Sequence, residues 1–231
     1  MSQQTARLWL ERLGRGLLFI AVPVTLLLTS VRLLLTPAFV RLDYGIPGFP
    51  SDAFGFSMQE RVRGAEIALE YLLNDEPIAF LGDLRFDDGD PVYNPRELKH
   101  MEDVKGLVQK AMTVWLVSLA AGLLLPLGLG QLTGEARAWA ALQAAARATL
   151  VLMGVLLVGI AASFSFLFVG FHRVFFEGDT WLFLYSDTLI RLFPERFWLT
   201  AFISIGLGTV ALTLSLLLVS SLRLRWMART S

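Results

Sequence analysis

The sequence predicts a mainly α, polytopic membrane protein, a four-transmembrane-helix bundle with a small extracytoplasmic cap, and three observations predict it. First, 55% of the 231 residues are hydrophobic, and four apolar runs, 16–36, 107–129, 148–170 and 197–222, are each long enough to cross a hydrocarbon core as a helix. Second, eight arginines (Arg7, Arg12, Arg15, Arg137, Arg147, Arg223, Arg225, Arg229) precede the first run, separate the second from the third and follow the fourth, against only Glu11 and Glu135. The positive-inside rule then places both termini and the middle connection in the cytoplasm. Third, residues 37–106 hold 14 acidic and 7 basic side chains, too long and too mixed a stretch for a turn, so they are expected to fold as a cap on the outer side.

The elements follow in order. Residues 1–36 read as a cytoplasmic N-terminus and a first span. The run is long and lacks a small-residue cleavage site, so it reads as an uncleaved anchor. Arg32 is its one internal charge, near the outer end where a long side chain reaches the interface. The cap, 37–106, starts on the Gly- and Pro-rich LDYGIPGFPSDAFGFS, expected as loop or extended chain near the headgroups. Residues 59–74 place Val62, Ala65, Ile67, Leu69, Leu72 and Leu73 at a loose helical period and predict an amphipathic helix. Residues 78–86 are expected as a short strand pair or extended strip, ended by the acidic turn Asp87, Asp88, Gly89, Asp90, Pro91. Clustered carboxylates suit calcium, but the spacing is not that of a twelve-residue calcium loop, and the same residues are good turn formers.

The second span, 107–129, is preceded by NPRELKHMEDVKGLVQK. Asn94 is an N-cap candidate, Pro95 suits the first helical position, and Glu97 stands where a capping carboxylate reaches back. A helix from here brings Arg96, Glu97, His100, Asp103, Val104 and Leu107 onto one face. Residues 130–147 are expected as a cytoplasmic loop whose alanine-rich part extends the third helix. The third span, 148–170, is uncharged and leads into an outer aromatic loop, 171–196, where Asp187 is expected to cap a short helix ended by Pro194. The aromatics there read as an interfacial belt. The fourth span, 197–222, is also uncharged, and 223–231 form a cytoplasmic tail.

Composition narrows the chemistry. Twenty basic and twenty acidic side chains cancel, which argues against nucleic acid as a partner. Cysteine is absent, which removes disulfides, thiolate ligands and cysteine nucleophiles. No nucleophile elbow, HExxH or phosphate-cradling glycine loop occurs, and Ser51, Ser57 and Ser186 have no base beside them in sequence. Two histidines remain, His100 and His172, both on the outer side and near one depth. Imidazole titrates near neutrality and both accepts and returns a proton, so the pair suits proton transfer on a lipid ester. A zinc site from both histidines and nearby carboxylates is chemically allowed, although no ligand spacing argues for it. A non-enzymatic membrane scaffold or lipid-binding protein is the alternative.

The two outer stretches, NPRELKHMEDVK before the second span and FHRVFF, Trp181 and SDTLIRLFPERFW before the fourth, resemble the bacterial lipoprotein intramolecular transacylase family, called Lit. The resemblance implies an enzyme of the bacterial cytoplasmic membrane with its site at the outer leaflet. Its substrate is a diacylglyceryl lipoprotein, held among membrane lipid. It moves an acyl chain from the glyceryl group to the amine of the lipoprotein's own N-terminal cysteine, which gives the lyso form. It also implies that His100 and His172 are catalytic; ester-to-amide conversion is downhill, so no cofactor is expected, and no metal ligand is assigned. The residues around them add expected roles: Glu97 or Asp103 orients His100, and Arg96 or Arg173 steadies the oxyanion. Which histidine is base and which is acid stays open.

Overall fold

The computed structural model describes residues 2–230. Nine helices span the described residues: α1 (Gln3–Leu34), α2 (Pro37–Tyr44), α3 (Met58–Leu73), α4 (Ala79–Gly82), α5 (Pro95–Thr133), α6 (Glu135–Ala162), α7 (Phe164–Phe175), α8 (Thr188–Leu192) and α9 (Glu195–Thr230). Four of them, α1, α5, α6 and α9, are long and apolar enough to cross a membrane. The chain is a mainly α polytopic membrane protein. It divides into two compact units, one of Met1–Val31, Met112–Val158 and Ser204–Ser231, the other of Arg32–Ala111 and Gly159–Ile203.

The first unit holds most of the apolar helix length. Leu18, Val22, Leu129, Ala138, Ala141, Leu142 and Ala145 form its buried cluster. Small residues let helices approach closely: a Cβ at Gly206 would stand 2.6 Å from Leu157 Cδ2. Thr209 Oγ1 lies 3.1 Å from Ser30 Oγ, and Trp115 Nε1 donates to Thr29 Oγ1 at 2.9 Å. The expected loop over 130–147 is almost entirely helical. Helix α5 runs to Thr133 and α6 starts at Glu135, so the connection is Gly134 alone. Its φ of +96° is one that a side chain would strain.

The second unit is built from short elements and buried charge. Helix α2 starts on a Thr36 cap with Pro37 in its first turn, so the chain expected as loop from Leu42 is helical through Tyr44. The loop that follows is fixed by arginines. Arg61 on α3 donates to the carbonyls of Pro50 and Arg191, and Arg191 pairs with Asp52 at 2.9 Å while lying 3.5 Å over Phe56. Helix α3 forms behind a Ser57–Glu60 capping box, but of the expected apolar face only Ala65 and Leu69 are buried and Leu73 is exposed, while Arg61, Ala68 and Tyr71 are buried beside them. The strip 78–86 differs from expectation: residues 79–82 form a helical turn, and only an isolated Arg85–Pro91 bridge remains of the strand pair. Leu81 is fully buried against this unit's core, and a helical turn seats it without a partner strand. The acidic turn forms as expected, with Gly89 at φ +91°.

The uncharged run 148–170 is also divided. Helix α6 ends at Ala162, and Ser163 caps α7 by accepting from the Phe166 N–H. Hydropathy is continuous across this point; the helix is not.

Candidate active site

The amino end of α5 is built by reciprocal capping. Asn94 Oδ1 accepts from the Arg96 and Glu97 N–H groups at 3.0 Å each, and Glu97 Oε2 accepts from the Asn94 N–H at 2.8 Å. The other Glu97 oxygen reaches further. Oε1 accepts from the Leu189 N–H of α8 at 2.6 Å, so one carboxylate caps two helices 92 residues apart. Glu97 is 1% exposed. Burial pushes its carboxyl above the usual range, against the pull of the backbone N–H groups. Asp187 closes the same corner: it accepts from Asn94 Nδ2 at 3.1 Å and from the Leu184 N–H at 2.8 Å, and pairs with Arg96 at 3.1 Å.

One turn beyond Glu97, His100 points into the unit. His172 arrives from the last turn of α7, and the two ring centroids are 6.1 Å apart with planes 21° from parallel. Each histidine is 8% exposed. Aromatic side chains surround them: Phe176 lies 4.8 Å from His100 and 5.5 Å from His172, Phe183 5.3 Å from His100, and Phe168 and Trp181 4.3 and 5.0 Å from His172. Both histidines lie outside the apolar spanning runs. In this surround the neutral imidazole is favoured. Burial, then the neighbouring His172, push His100 down to about 4, and the Asp103 charge opposes them. Burial also lowers His172, against a backbone hydrogen bond.

That hydrogen bond fixes a tautomer. His172 Nδ1 lies 2.7 Å from the Phe168 carbonyl oxygen, which only accepts, so Nδ1 carries the proton and Nε2 keeps the lone pair. His100 Nδ1 is buried without a hydrogen-bond partner. The zinc alternative asks for at least one more donor. Among the described residues no group of three or more His, Cys, Asp or Glu side chains is placed to hold a metal ion.

The family model described as lipoprotein intramolecular transacylase Lit matches residues 16–198, more than three quarters of the chain. The chain belongs to the Lit family. An uncharacterized protein from Aquifex aeolicus (strain VF5) is 30% identical over 185 residues, 79% of this chain and 81% of that protein. Two solved structures share the fold at 18% identity. One is the membrane-integral Lit of Bacillus cereus, with a TM-score of 0.76 over 96% of this chain and 98% of that one. The other is a histidine-to-alanine variant of the same protein, with a TM-score of 0.72 over the whole of both chains. Family membership makes the present chain a membrane-integral bacterial transacylase.

Of the residues singled out from the sequence, this Lit chain brings His100 and His172 together. Glu97 spends both oxygens on backbone N–H groups and makes no hydrogen bond to an imidazole. Asp103 pairs with Lys99 at 3.1 Å and lies close enough to His100 for its charge to act there. Arg96 is held by Asp187 at the helix start, and Arg173 is exposed on the last turn of α7. The sequence reading missed the aromatic surround. Phe168 and Phe176 stand four residues before and after His172, one helical turn each way, and that spacing was the available signal.

Proposed function

We propose that this chain transfers an acyl chain from the glyceryl group of a diacylglyceryl lipoprotein to the lipoprotein's own N-terminal cysteine amine, with the proton work divided between His100 and His172. The observation that carries the reading is the pair of buried imidazoles, 6.1 Å apart, supplied by two separate helices. Family membership supplies the substrate class, and the arginine distribution favours cytoplasmic termini with the site at the outer leaflet.

The amine nitrogen attacks the ester carbonyl carbon. A C–N bond forms, the C–O bond to the glyceryl group breaks, and the products are an amide and a free hydroxyl. An ammonium, with a reference pKa near 8, loses two protons on becoming an amide. One returns to the glyceryl oxygen and one leaves to water, so no co-reactant is needed. His172 takes the proton released on attack, because its Nε2 holds a free lone pair. The proton then passes to His100, neutral at rest, and from it to the leaving oxygen. Holding amine and ester together makes the reaction intramolecular, and such positioning supplies up to about 7 to 11 kcal/mol of the barrier. The aromatic surround keeps bulk water from the reacting ester.

Purified protein mixed with a synthetic diacylglyceryl lipopeptide tests this. Mass spectrometry should show an N-acylated lyso product of unchanged total mass, formed without added nucleotide or metal. Failure of folded protein to form that product, or retained turnover after His172→Ala, would refute the scheme.

A further inference from the structure

Between Phe176, the C-cap of α7, and Asp187, the N-cap of α8, the chain is a strap with an unusual division of side chains. Residues 182–184 belong to no helix or strand, and their side chains divide between the inside and the outside. Trp181 and Phe183 turn inward onto His172 and His100, at 5.0 and 5.3 Å. Leu182, Leu184 and Tyr185 turn outward and are 47, 63 and 82% exposed.

The hydrogen bonding of the strap is local. Trp181 Nε1 donates to the Gly178 carbonyl, the Leu182 N–H to Asp179, the Leu184 N–H to the Asp187 carboxylate, and the Asp187 N–H back to Leu184. It is tied down at its far end, where Asp187 holds Asn94 and Arg96. No charged side chain occurs from Thr180 to Ser186, while Glu177, Asp179 and Asp187 flank that stretch. An uncharged outer face with two leucines and a tyrosine, bounded by carboxylates, matches the boundary between hydrocarbon and headgroups rather than water. The same kind of surface continues on the adjoining helix, where Phe171, Val174 and Phe175 of α7 are exposed at the spacing of one helical face.

We propose that residues 181–185 form a lipid-docking strap: Leu182, Leu184 and Tyr185 lie in the bilayer at its polar boundary while Trp181 and Phe183 close over the histidine pair. The docked strap holds the site at the depth of a glyceryl ester. This consequence rests on the transacylase reading, whereas the docking does not.

The chain has no cysteine, so single cysteines accept a nitroxide without background. Leu184→Cys and Tyr185→Cys, labelled in the full protein and reconstituted in phosphatidylethanolamine and phosphatidylglycerol vesicles, report depth through relaxation by oxygen and by a water-soluble nickel chelate. Asp88→Cys on the acidic turn is the water reference, and Val151→Cys in the third apolar run is the hydrocarbon reference. The strap labels should show an oxygen-to-nickel accessibility ratio several-fold above that at Asp88 and toward that at Val151. A ratio like that at Asp88 would overturn the proposal. So would poor access to both relaxants, which would mean cover by protein or by a second copy. If one variant does not insert, the other reads the same surface, and loss of transacylation by the parent protein would leave the depth result standing.

Discussion

The two units bury different kinds of polar group. In the first, the buried polar residues are Ser30, Ser118, Thr149, Thr209, Thr213 and Ser220, all hydroxyls. Each donates to a carbonyl three or four residues back in its own helix. In the second they are Asp43, Arg61, Glu97, His100, Lys105, His172 and Thr188, and several find partners far away in sequence. Glu97 reaches Leu189, Arg61 reaches Arg191, and Lys105 reaches Glu76. A hydroxyl satisfied inside its own helix crosses a bilayer without needing a partner. A buried charge depends on a segment arriving from elsewhere, which is costly to arrange but allows chemistry.

The contrast breaks first at the histidines. His100→Ala or His172→Ala should lower turnover of a diacylglyceryl lipopeptide by about 10² to 10⁴-fold, the span typical of general acid–base groups, while detergent unfolding of the apolar helices is unchanged. Comparable turnover and unfolding losses would show that the histidines are structural.

Next in size is Glu97. Alanine leaves the half-buried Asn94 N–H and the buried Leu189 N–H unpaired, at about 2 to 4 kcal/mol for the two together. Glutamine keeps one acceptor oxygen and should cost less. Thermal unfolding of the two variants measures this, and equal midpoints for alanine and wild type would remove Glu97 from its bracing role.

A smaller effect is expected from pH. Both histidines are lowered below the ordinary value of 6.5, His100 to about 4, so the unfolded chain takes up protons that the folded one refuses. Stability is therefore fully present above about pH 7, and it falls as pH drops below 6.5. The slope is at most about 1.4 kcal/mol per pH unit for each histidine. Unfolding midpoints between pH 7.5 and 5 should trace this (about two and a half units, clear of most carboxylates), net of the opposite effect of the raised Glu97 carboxyl, and His100→Phe should reduce the slope to the share left by His172.

The smallest change belongs to the other unit. Thr209→Val removes one hydroxyl from the seam with Ser30 and should cost about 0.6 kcal/mol, with transacylation unaffected. A large loss of activity there would show that the seam takes part in the reaction.

The same contrast explains what was legible in the sequence. Apolar length marks a spanning helix because its backbone bonds are internal, and α1, α5, α6 and α9 follow from that. The capping box at Asn94 and the two histidines were legible for a similar reason: capping is local, and only two imidazoles exist. Remote partners were not. Nothing near Glu97 points to Leu189, so the carboxylate was expected on His100. The aromatics of 171–196 read as a belt because nothing in their local sequence separates Trp181 and Phe183, which face the histidines, from Tyr185, which is exposed. The break at Ser163 is a capping event within an unbroken apolar run, which hydropathy does not register.

The most direct measurement is single-turnover transacylation by purified wild type, His100→Ala, His172→Ala and the double variant. Two imidazoles acting as one unit on one ester predict that the double variant is no slower than the slower single variant within about twofold. Losses that multiply, or a single variant that keeps wild-type turnover, would contradict a shared site.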